Sequence, residues 1–228
     1  MNNKLPHQEE LDELKQLIPS KKQLAILLSQ LKTFPRPRID LEQYSSDGDV
    51  AASLLWRAFL QGDIFGKHIL DLGAGTGLLG IGALLLGAAH VTFVDIDAKA
   101  QTYIKENIKL LEDWELTIPL RRCTYIESDV RHLDKTITAD TVIMNPPFGT
   151  KRKHADKLFL QQAIIRAPVV YSMHKTSTEA FLDAFARTQD CQLVWQEDTS
   201  FPIKNTQKIH RKKIQRIEVR LICLKKNQ

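Results

Sequence analysis

The residues best suited to chemistry are Asn145, Pro146, Pro147 and Phe148, which stand directly after a short apolar run. That run, residues 141–144, is β-branched and apolar, which predicts a buried strand of a parallel sheet. Two prolines in a row must end the strand, because proline fixes φ and has no backbone N–H to donate. Ligands of open α/β sheets bind at the carboxyl ends of the strands, so Asn145 is expected at a functional edge.

This turn suits methyl transfer to a planar, conjugated amino nitrogen. Such a nitrogen is a weak nucleophile, because its lone pair is delocalised into the ring. The side-chain oxygen of Asn145 and the carbonyl of Pro146 can each accept one amino hydrogen, which directs the lone pair at an electrophile. Phe148 offers a flat face on which a flipped or single-stranded base can stack. The competing interpretation is a plain proline-rich turn with Phe148 in the core.

A second candidate site is a glycine-rich turn between a predicted strand and a predicted helix. The strand covers about residues 67–72, three alternate glycines follow within residues 73–77, and a helix begins at Leu78. Closely spaced glycines let a ligand approach the N-terminus of a helix. Asp95 ends the next predicted strand, 90–95, where a carboxylate suits the two hydroxyls of an adenosine ribose.

Two kinds of cofactor compete for this turn. Residues 75–80 match the Gly-x-Gly-x-x-Gly fingerprint of nicotinamide enzymes, but the match is offset because the glycines already begin at Gly73. S-adenosylmethionine fits better, since it has no pyrophosphate to cradle and its amino and sulfonium charges favour carboxylates. The expected contacts in this region are Asp71, Gly73, Gly75, Thr76, Gly77, Leu78 and Asp95.

A third predicted strand, residues 122–126, leads to a further acid. At its carboxyl end Asp129 can accept a hydrogen bond from an adenine amino group, and the backbone N–H of Val130 can donate to a ring nitrogen. Without the context of a methyltransferase, Asp129 is better explained as an ordinary surface carboxylate.

The net charge of +5 is unevenly distributed along the chain. Residues 145–228 contain 16 Lys and Arg against 7 Asp and Glu, whereas acids outnumber bases before them. The excess after the Asn-Pro-Pro-Phe turn predicts a polyanionic partner, although charge runs are often solvated faces. The candidate phosphate contacts are Lys151, Arg152, Lys153, His210, Arg211, Lys212 and Lys213.

The remaining patterns predict alternating strands and helices. Four leucines between residues 24 and 31 have the spacing of an amphipathic helix. Further helices are predicted at 50–60, 78–86, 155–166 and 177–187, and further strands at 168–173, 192–196 and 216–224. We expect the last two strands to pair antiparallel through a long connection, residues 200–215. This alternation predicts one α/β domain, residues 21–228, after a polar extension, residues 1–20.

The number of cysteines and the hydropathy of the sequence indicate the compartment in which the protein works. Cys123, Cys191 and Cys223 are odd in number and widely spaced, which predicts neither a disulfide framework nor a zinc site. We found no apolar segment of signal-peptide type or of membrane-spanning length. The sequence therefore predicts a cytoplasmic protein without a metal of its own.

Six segments resemble, in this order, the archaeal and eukaryotic methyltransferase-like enzymes that make N6-methyladenine in small-subunit ribosomal RNA. They are residues 41–44, 71–77, 95–97, 142–150, 171–175 and 210–213. The glycine segment is shared by many methyltransferases. Glu-Gln-Tyr at 42–44 together with Met-Asn-Pro-Pro-Phe-Gly-Thr at 144–150 is far more specific. The resemblance extends over about residues 21–224.

The resemblance implies a Rossmann-like class I methyltransferase fold, with a seven-stranded, mostly parallel sheet, an antiparallel last strand and helices on both faces. It also implies S-adenosylmethionine as methyl donor, adenine in RNA as acceptor, and residues 145–148 as the catalytic turn. The implied cofactor contacts are Gln43, Tyr44, Ser46, Gly73, Thr76, Leu78, Asp95, Asp129 and Val130. Ser46 replaces a threonine of many members but keeps the hydroxyl. Judged alone, Tyr44 is better explained as a packing residue than as a ligand contact.

The resemblance implies a protein partner as well. In eukaryotic members a small zinc-binding activator protein pairs with an edge strand of the enzyme and covers apolar surface, and the zinc belongs to that partner. Residues 1–20 have no obvious counterpart in the family. Alternatives to RNA remain open, because a similar turn serves DNA adenine and protein glutamine-amide methylation. A catalytically idle RNA-binding module is a further alternative.

Overall fold

One seven-stranded sheet with helices on both faces forms the protein. The structure, a computed structural model, describes residues 18–43, 47–147, 155–203 and 215–227, with only the backbone at 201–203 and 215. The strands are β1 (His68–Leu72), β2 (His90–Asp95), β3 (Cys123–Glu127), β4 (Thr141–Met144), β5 (Val169–Lys175), β6 (Cys191–Ile203) and β7 (Gln215–Lys226). The helices are α1 (Lys21–Ser29), α2 (Gly48–Leu60), α3 (Leu78–Leu85), α4 (Ala100–Glu112), α5 (Ala155–Arg166) and α6 (Glu179–Thr188).

The strand order is β3-β2-β1-β4-β5-β7-β6. Strands β1 to β5 are parallel, while β7 lies antiparallel between β5 and β6. The order reverses between β1 and β4, which makes this pair the switch point where ligands of such sheets bind. The predicted Rossmann-like α/β fold, with its antiparallel last strand, is confirmed.

The helices bury apolar stripes against the two faces of the sheet. Leu28 of α1, Leu55 of α2 and Ile81 of α3 belong to one core, which α4 extends. Leu160 of α5 and Phe185 of α6 belong to the core on the opposite face. Within the described ranges, no helix is long and apolar enough to cross a membrane.

Local capping explains where the first helices begin. The Ser20 hydroxyl accepts a hydrogen bond from the backbone N–H of Gln23, and Asp47 accepts from Asp49 and Val50. Side chains of this type satisfy the free N–H groups of a first helical turn. Ile18, which the sequence analysis assigned to the extension, is already buried in the α1 core, whereas Pro19 is exposed.

Two elements differ from the sequence-based expectation. Helix α4 was not predicted, although Ile104, Ile108 and Leu111 have helical spacing and are buried. Strand β6 is 13 residues long and reaches Ile203, so residues 200–203 belong to a strand and not to the connection. The polar sequence of β6 conceals its length, because backbone pairing with β7 and not side-chain burial defines this edge strand.

We expect Leu55→Ala to lower the free energy of unfolding by about 2 to 5 kcal/mol, because it leaves a cavity in the core around α2. Leu55 is fully buried, whereas Leu60 on the same helix is 62% exposed. Leu60→Ala is therefore the matched control and should change stability by less than about 0.5 kcal/mol. Urea unfolding of both variants tests this, and equal losses would contradict the assigned core.

Candidate active site

The pairing of β1 with β4 brings the two predicted sites together. Leu72 and Met144 end their strands as register partners. The next residues, Gly73 and Asn145, therefore leave the sheet on neighbouring strands, which lie about 4.8 Å apart in a parallel sheet. Asn145 and Pro147 are half-buried and Pro146 is buried. The glycine turn and the proline turn thus line one crevice.

The glycine turn takes a backbone shape that excludes side chains. Gly73 and Gly77 have φ values of 73° and 88°, in the left-handed region that favours glycine. A Cβ on Gly77 would lie 2.8 Å from Ile104, and a Cβ on Gly73 would lie 3.1 Å from the ring of Phe159. The turn therefore requires glycine at both positions. Its N–H groups are largely bonded within the protein, since Gly73 and Ala74 donate to the Val94 carbonyl and Gly75 donates to Asp95.

Two aromatic rings flank this turn and were not predicted as site residues. Phe159 of α5 lies beside Gly73, and Phe34 lies beside Gly75 at 3.6 Å from the position of a Cβ. Phe34 also makes an edge-to-face contact with Tyr103, with 5.1 Å between ring centroids. In the sequence, Phe34 stands before the proline-containing segment 35–38, and Phe159 stands in the helix that follows the proline turn. Neither position indicated that the ring would lie beside the glycine turn.

Asp95 binds backbone on both sides of the crevice. One of its carboxylate oxygens accepts a hydrogen bond of 2.7 Å from the Gly75 N–H, and the other accepts one of 2.8 Å from the Asp97 N–H. Burial raises the pKa of this carboxyl, and the two N–H donors partly oppose that shift. Each oxygen keeps a lone pair for a further donor, as the ribose hydroxyls of the predicted cofactor would supply.

Asp71 is placed inside the protein, behind the glycine turn. It is 1% exposed, and its carboxylate accepts a hydrogen bond of 2.8 Å from the Gly80 N–H in the first turn of α3. Burial raises the pKa of Asp71 to about 7, and the nearby Asp95 charge adds to the shift. In the structure, the Asp71 carboxylate therefore contacts helix α3, which begins directly after the glycine turn.

Asp129 and Val130 follow β3 at the same edge of the sheet. The Asp129 carboxylate accepts hydrogen bonds from the Arg131 guanidinium, the shortest of 2.6 Å, and from the Arg131 backbone N–H. These bonds lower the pKa of Asp129 to about 2, so it is ionised at neutral pH. Val130 is buried. The Ser128 N–H donates to the Asp95 carbonyl and joins this loop to the end of β2.

Gln43 is held against the end of β2. Its side-chain NH₂ donates a hydrogen bond of 2.8 Å to Asp97, and its oxygen accepts one of 2.9 Å from the Arg38 N–H. Asp97 was not among the predicted site residues, although it stands two positions after Asp95. It lines a small cavity beside the crevice, together with Ala74, Asp95, Gln101 and Tyr125.

Asn107 is a positioning residue that the sequence analysis missed. It is fully buried in α4, donates 2.9 Å and 3.0 Å hydrogen bonds to the carbonyls of Thr76 and Lys32, and accepts a 2.7 Å bond from the Lys32 N–H. It therefore connects the glycine turn to the segment that leads to Gln43. A polar residue between Ile104 and Ile108 on an apolar helix face was the available signal.

Segment 171–175 lies on β5, next to the strand that carries Asn145. Ser172 and His174 are buried, and the Ser172 hydroxyl and His174 Nε2 share a hydrogen bond of 2.8 Å. Burial lowers the pKa of His174 to about 3, so the imidazole is neutral throughout the physiological range. This pair supports the sheet beside the proline turn.

Several predicted site residues lie outside the described residues. They are Tyr44, Ser46, Phe148, Lys151, Arg152, Lys153, His210, Arg211, Lys212 and Lys213. Their assignments stay predictions.

We expect Asn107→Leu to destabilise the protein by about 2 to 4 kcal/mol, because it leaves the Lys32 and Thr76 backbone groups without their buried partner. Lys109→Ala, at an exposed position of the same helix, is the control and should shift stability by less than about 0.5 kcal/mol. Chemical denaturation measures both. A variant as stable as the control would show that the three bonds are not needed.

We expect Asp71→Asn to remove a loss of stability that the unsubstituted protein shows as the pH rises from 5 to 8. The folded protein holds the Asp71 proton up to a pKa of about 7, whereas an unfolded aspartate releases it near pH 3.9. The folded state therefore binds more protons between these values, and stability falls by about 3 kcal/mol from pH 5 to pH 8. Asparagine keeps an acceptor for the Gly80 N–H without the charge.

Unfolding free energies at pH 5 and pH 8 measure this effect. Asp113→Asn, at an exposed position, is the matched control. If Asp71→Asn shows the same pH dependence as the unsubstituted protein, the raised pKa is wrong.

Comparison with known proteins places this site in a family. Residues 56–192, more than half of the chain, match the family model described as Conserved hypothetical protein 95. The rRNA N(6)-adenosine-methyltransferase METTL5 of Danio rerio is 36% identical over 205 residues, which is 88% of this chain and 96% of that protein.

A solved structure and a shorter match complete the comparison. The crystal structure of a proposed RNA methyltransferase from Pyrococcus horikoshii superposes with a TM-score of 0.81 at 38% identity, over 91% of this chain and 98% of that one. The Ribosomal protein L11 methyltransferase of Aeromonas hydrophila is 39% identical, but over only 71 residues, or 30% of this chain and 24% of that protein. The chain is therefore a methyltransferase and belongs to the family that includes the rRNA N(6)-adenosine-methyltransferase of Danio rerio.

Proposed function

We propose that the protein transfers a methyl group from S-adenosylmethionine to N6 of an adenine in small-subunit ribosomal RNA. The observation that carries this proposal is the register of β1 with β4, which sets Asn145 beside Gly73 at the switch point. A relative that matches nearly the whole chain is an rRNA N(6)-adenosine-methyltransferase, which supports adenine in RNA as the acceptor.

The crevice fits the proposed cofactor. The glycine turn carries no side chain at Gly73, Gly75 and Gly77, and the Asp95 oxygens keep lone pairs for ribose hydroxyls. Asp129 supplies a further ionised carboxylate for the adenine amino group. When bound, S-adenosylmethionine supplies an electrophilic methyl group on a positively charged sulfur.

Positioning of the acceptor is the main contribution of the proline turn. In the proposed mechanism the Asn145 side-chain oxygen and the Pro146 carbonyl accept the two amino hydrogens, and Phe148 stacks on the base. Good alignment of two reactants supplies up to roughly 7 to 11 kcal/mol of the barrier. The amino proton becomes acidic once the methyl group has arrived, so no ionised general base is needed.

The hairpin of β6 and β7 supports a role for the basic segments in RNA binding. Four residue pairs, from Ser200–Glu218 to Ile203–Gln215, lie beyond the Lys175–Val219 pair that ends the pairing with β5. At about 3.4 Å per residue, the hairpin extends roughly 13 Å past the carboxyl end of the sheet. Ile203 and Gln215, between which the basic segment 210–213 stands in the sequence, therefore lie toward the side on which Asn145 lies, and segment 151–153 follows the proline turn in the sequence.

The proposal includes a cytoplasmic protein with a partner. A small zinc-binding activator protein would add a strand to an edge of the sheet, as the family resemblance implies. The sheet has edges at β3 and at β6. Next to β3, Leu120 is 56% exposed, and a partner at this edge would cover it.

A protein amide is the second candidate acceptor. The short match to a Ribosomal protein L11 methyltransferase favours a protein as acceptor but does not indicate an amide, and the whole-length relatives and the basic excess after residue 145 favour RNA. Incubation with labelled S-adenosylmethionine and total RNA, DNA or ribosomal protein separates the acceptors. N6-methyladenosine in digested ribosomal RNA would establish the proposed one, whereas label only in protein or DNA would reject it.

We expect Asn145→Ala to lower methyl transfer by at least a hundredfold while cofactor affinity stays within about threefold, because Asn145 contacts the acceptor and not the donor. Asn227→Ala is the matched control and should keep full turnover, because Asn227 is exposed and its side chain bonds to the exposed loop residue Asp190. Turnover assays and calorimetric titration with S-adenosylmethionine measure the two properties. Retained turnover in Asn145→Ala would reject the assigned mechanism, and loss of cofactor binding in the unsubstituted protein would point to an idle RNA-binding module.

A further inference from the structure

A second cavity, of about 160 Å³, lies on the α2 face of the sheet. It is lined by Arg57, Gln61, Tyr171, Val194, Trp195, Cys223 and Lys225. Lys225 pairs with Val169 at the amino end of β5, so the cavity lies toward the end of the sheet opposite to Asn145. Roughly 10 to 15 Å³ of such space holds one water molecule, which means that a polyatomic ion fits.

Arg57 stands out in this cavity because no carboxylate of the described residues forms an ion pair with it. Its guanidinium carbon lies 5.6 Å from the centroid of the Trp195 ring, which holds the group over an aromatic wall. The Nε atom is buried, and within the described part of the chain it has no hydrogen-bond partner. A buried N–H donor on a charged group is costly to leave unsatisfied, so the site favours an anionic acceptor.

The second cation of the cavity is already balanced. Lys225 Nζ lies 3.1 Å from an Asp63 oxygen, and the Tyr171 hydroxyl donates a 2.8 Å hydrogen bond to the same carboxylate. Asp63 is thus engaged by two donors. The charges of Lys225 and Asp63 cancel. Among the described residues, the net positive charge of the site is therefore that of Arg57.

The other titratable side chains that line the cavity carry no negative charge at neutral pH. Burial raises the pKa of the Cys223 thiol to about 11, and burial likewise raises the pKa of the Tyr171 hydroxyl. Gln61 is uncharged, and Trp195 and Val194 are apolar except for the indole N–H. The cavity therefore combines one guanidinium without a described carboxylate partner, one ammonium paired with Asp63, and neutral walls.

We propose that this cavity binds a phosphate-class oxyanion between the Arg57 guanidinium and the Lys225 ammonium. A guanidinium presents several N–H donors in a fork that matches two oxygens of a phosphate, and the ammonium adds a second cationic donor. The ligand chemistry is shared by the phosphodiester of an RNA and by free phosphate or pyrophosphate. The site lies apart from the proposed methyl-transfer crevice and does not depend on that reaction.

The test uses the full chain and inorganic pyrophosphate as probe. The melting temperature is measured with pyrophosphate and with sodium chloride of equal ionic strength, and the affinity is obtained by calorimetric titration. We expect pyrophosphate, but not chloride, to raise the melting temperature. We expect Arg57→Gln to weaken pyrophosphate binding at least tenfold.

Arg187→Gln is the matched control, since Arg187 also lies in the last turn of its helix, α6, but is exposed and away from the cavity. It should bind pyrophosphate like the unsubstituted protein. If Arg57→Gln does not fold, Lys225→Gln decides, because it leaves the Asp63 carboxylate uncancelled and should also weaken binding tenfold. No stabilisation beyond chloride, or equal affinity in the cavity variant and in Arg187→Gln, would overturn the proposal.

A second arm identifies the source of the phosphate. Binding of a short fluorescent RNA is measured by anisotropy, with and without pyrophosphate. The site holds an RNA phosphate if pyrophosphate displaces the RNA and if Arg57→Gln weakens RNA binding. The affinity of that variant for RNA should then also depend less steeply on salt concentration. If RNA binding is unchanged while pyrophosphate binding is lost, the ligand is a free phosphate compound. Neither measurement requires methyl transfer, so failure of the proposed reaction leaves this test intact.

Discussion

The pairing of β1 with β4 is the constraint on which the rest of the structure depends. It is the point where the strand order reverses, with β2 and β3 on one side and β5, β7 and β6 on the other. The register of Leu72 with Met144 sets the glycine turn next to the proline turn. A slip of one residue would turn every side chain of β4 to the other face of the sheet and would separate Asn145 from its crevice.

Around this point, buried polar side chains hold the loops by their backbones. Asp71 accepts from the first turn of α3, Asp95 from the glycine turn, and Asn107 connects that turn to the chain near Lys32. Asp97 holds Gln43 from the end of β2. Buried polar networks whose members are satisfied rigidify a site. A rigid crevice is what the proposed reaction needs, because methyl transfer to a weak amine depends on alignment.

The shape of the sheet and the distribution of charge along the sequence both bear on where the proposed RNA would bind. The hairpin of β6 and β7 extends past the carboxyl end of the sheet, and the basic excess of the sequence begins after Asn145. Acids outnumber bases in residues 1–144, so the positive charge is concentrated in the last part of the sequence. The cavity at Arg57 lies near the amino ends of the strands, and a phosphate bound there would contact a surface distant from the crevice.

Much of the architecture could be predicted because its signals are local. The β-branched run before Asn145, the glycines after Leu72 and the helical spacing of the leucines in α1 each depend only on neighbouring residues, and the structure places strands and helices there. The boundaries of β4 and α5 were predicted to the residue. The acid at position 95 could likewise be assigned to a strand end from the sequence.

The sequence alone determined the α/β class, the two loops that are proposed to carry the chemistry and the uneven charge, because strand and turn propensities and composition are properties of short segments. Only the tertiary structure decided which side chains face the crevice. It placed Asp71 behind the turn, brought Asn107 from 31 residues away to the Thr76 carbonyl, and extended β6 through polar residues. Burial, long-range hydrogen bonds and strand pairing are contacts between distant segments, and no local pattern encodes them.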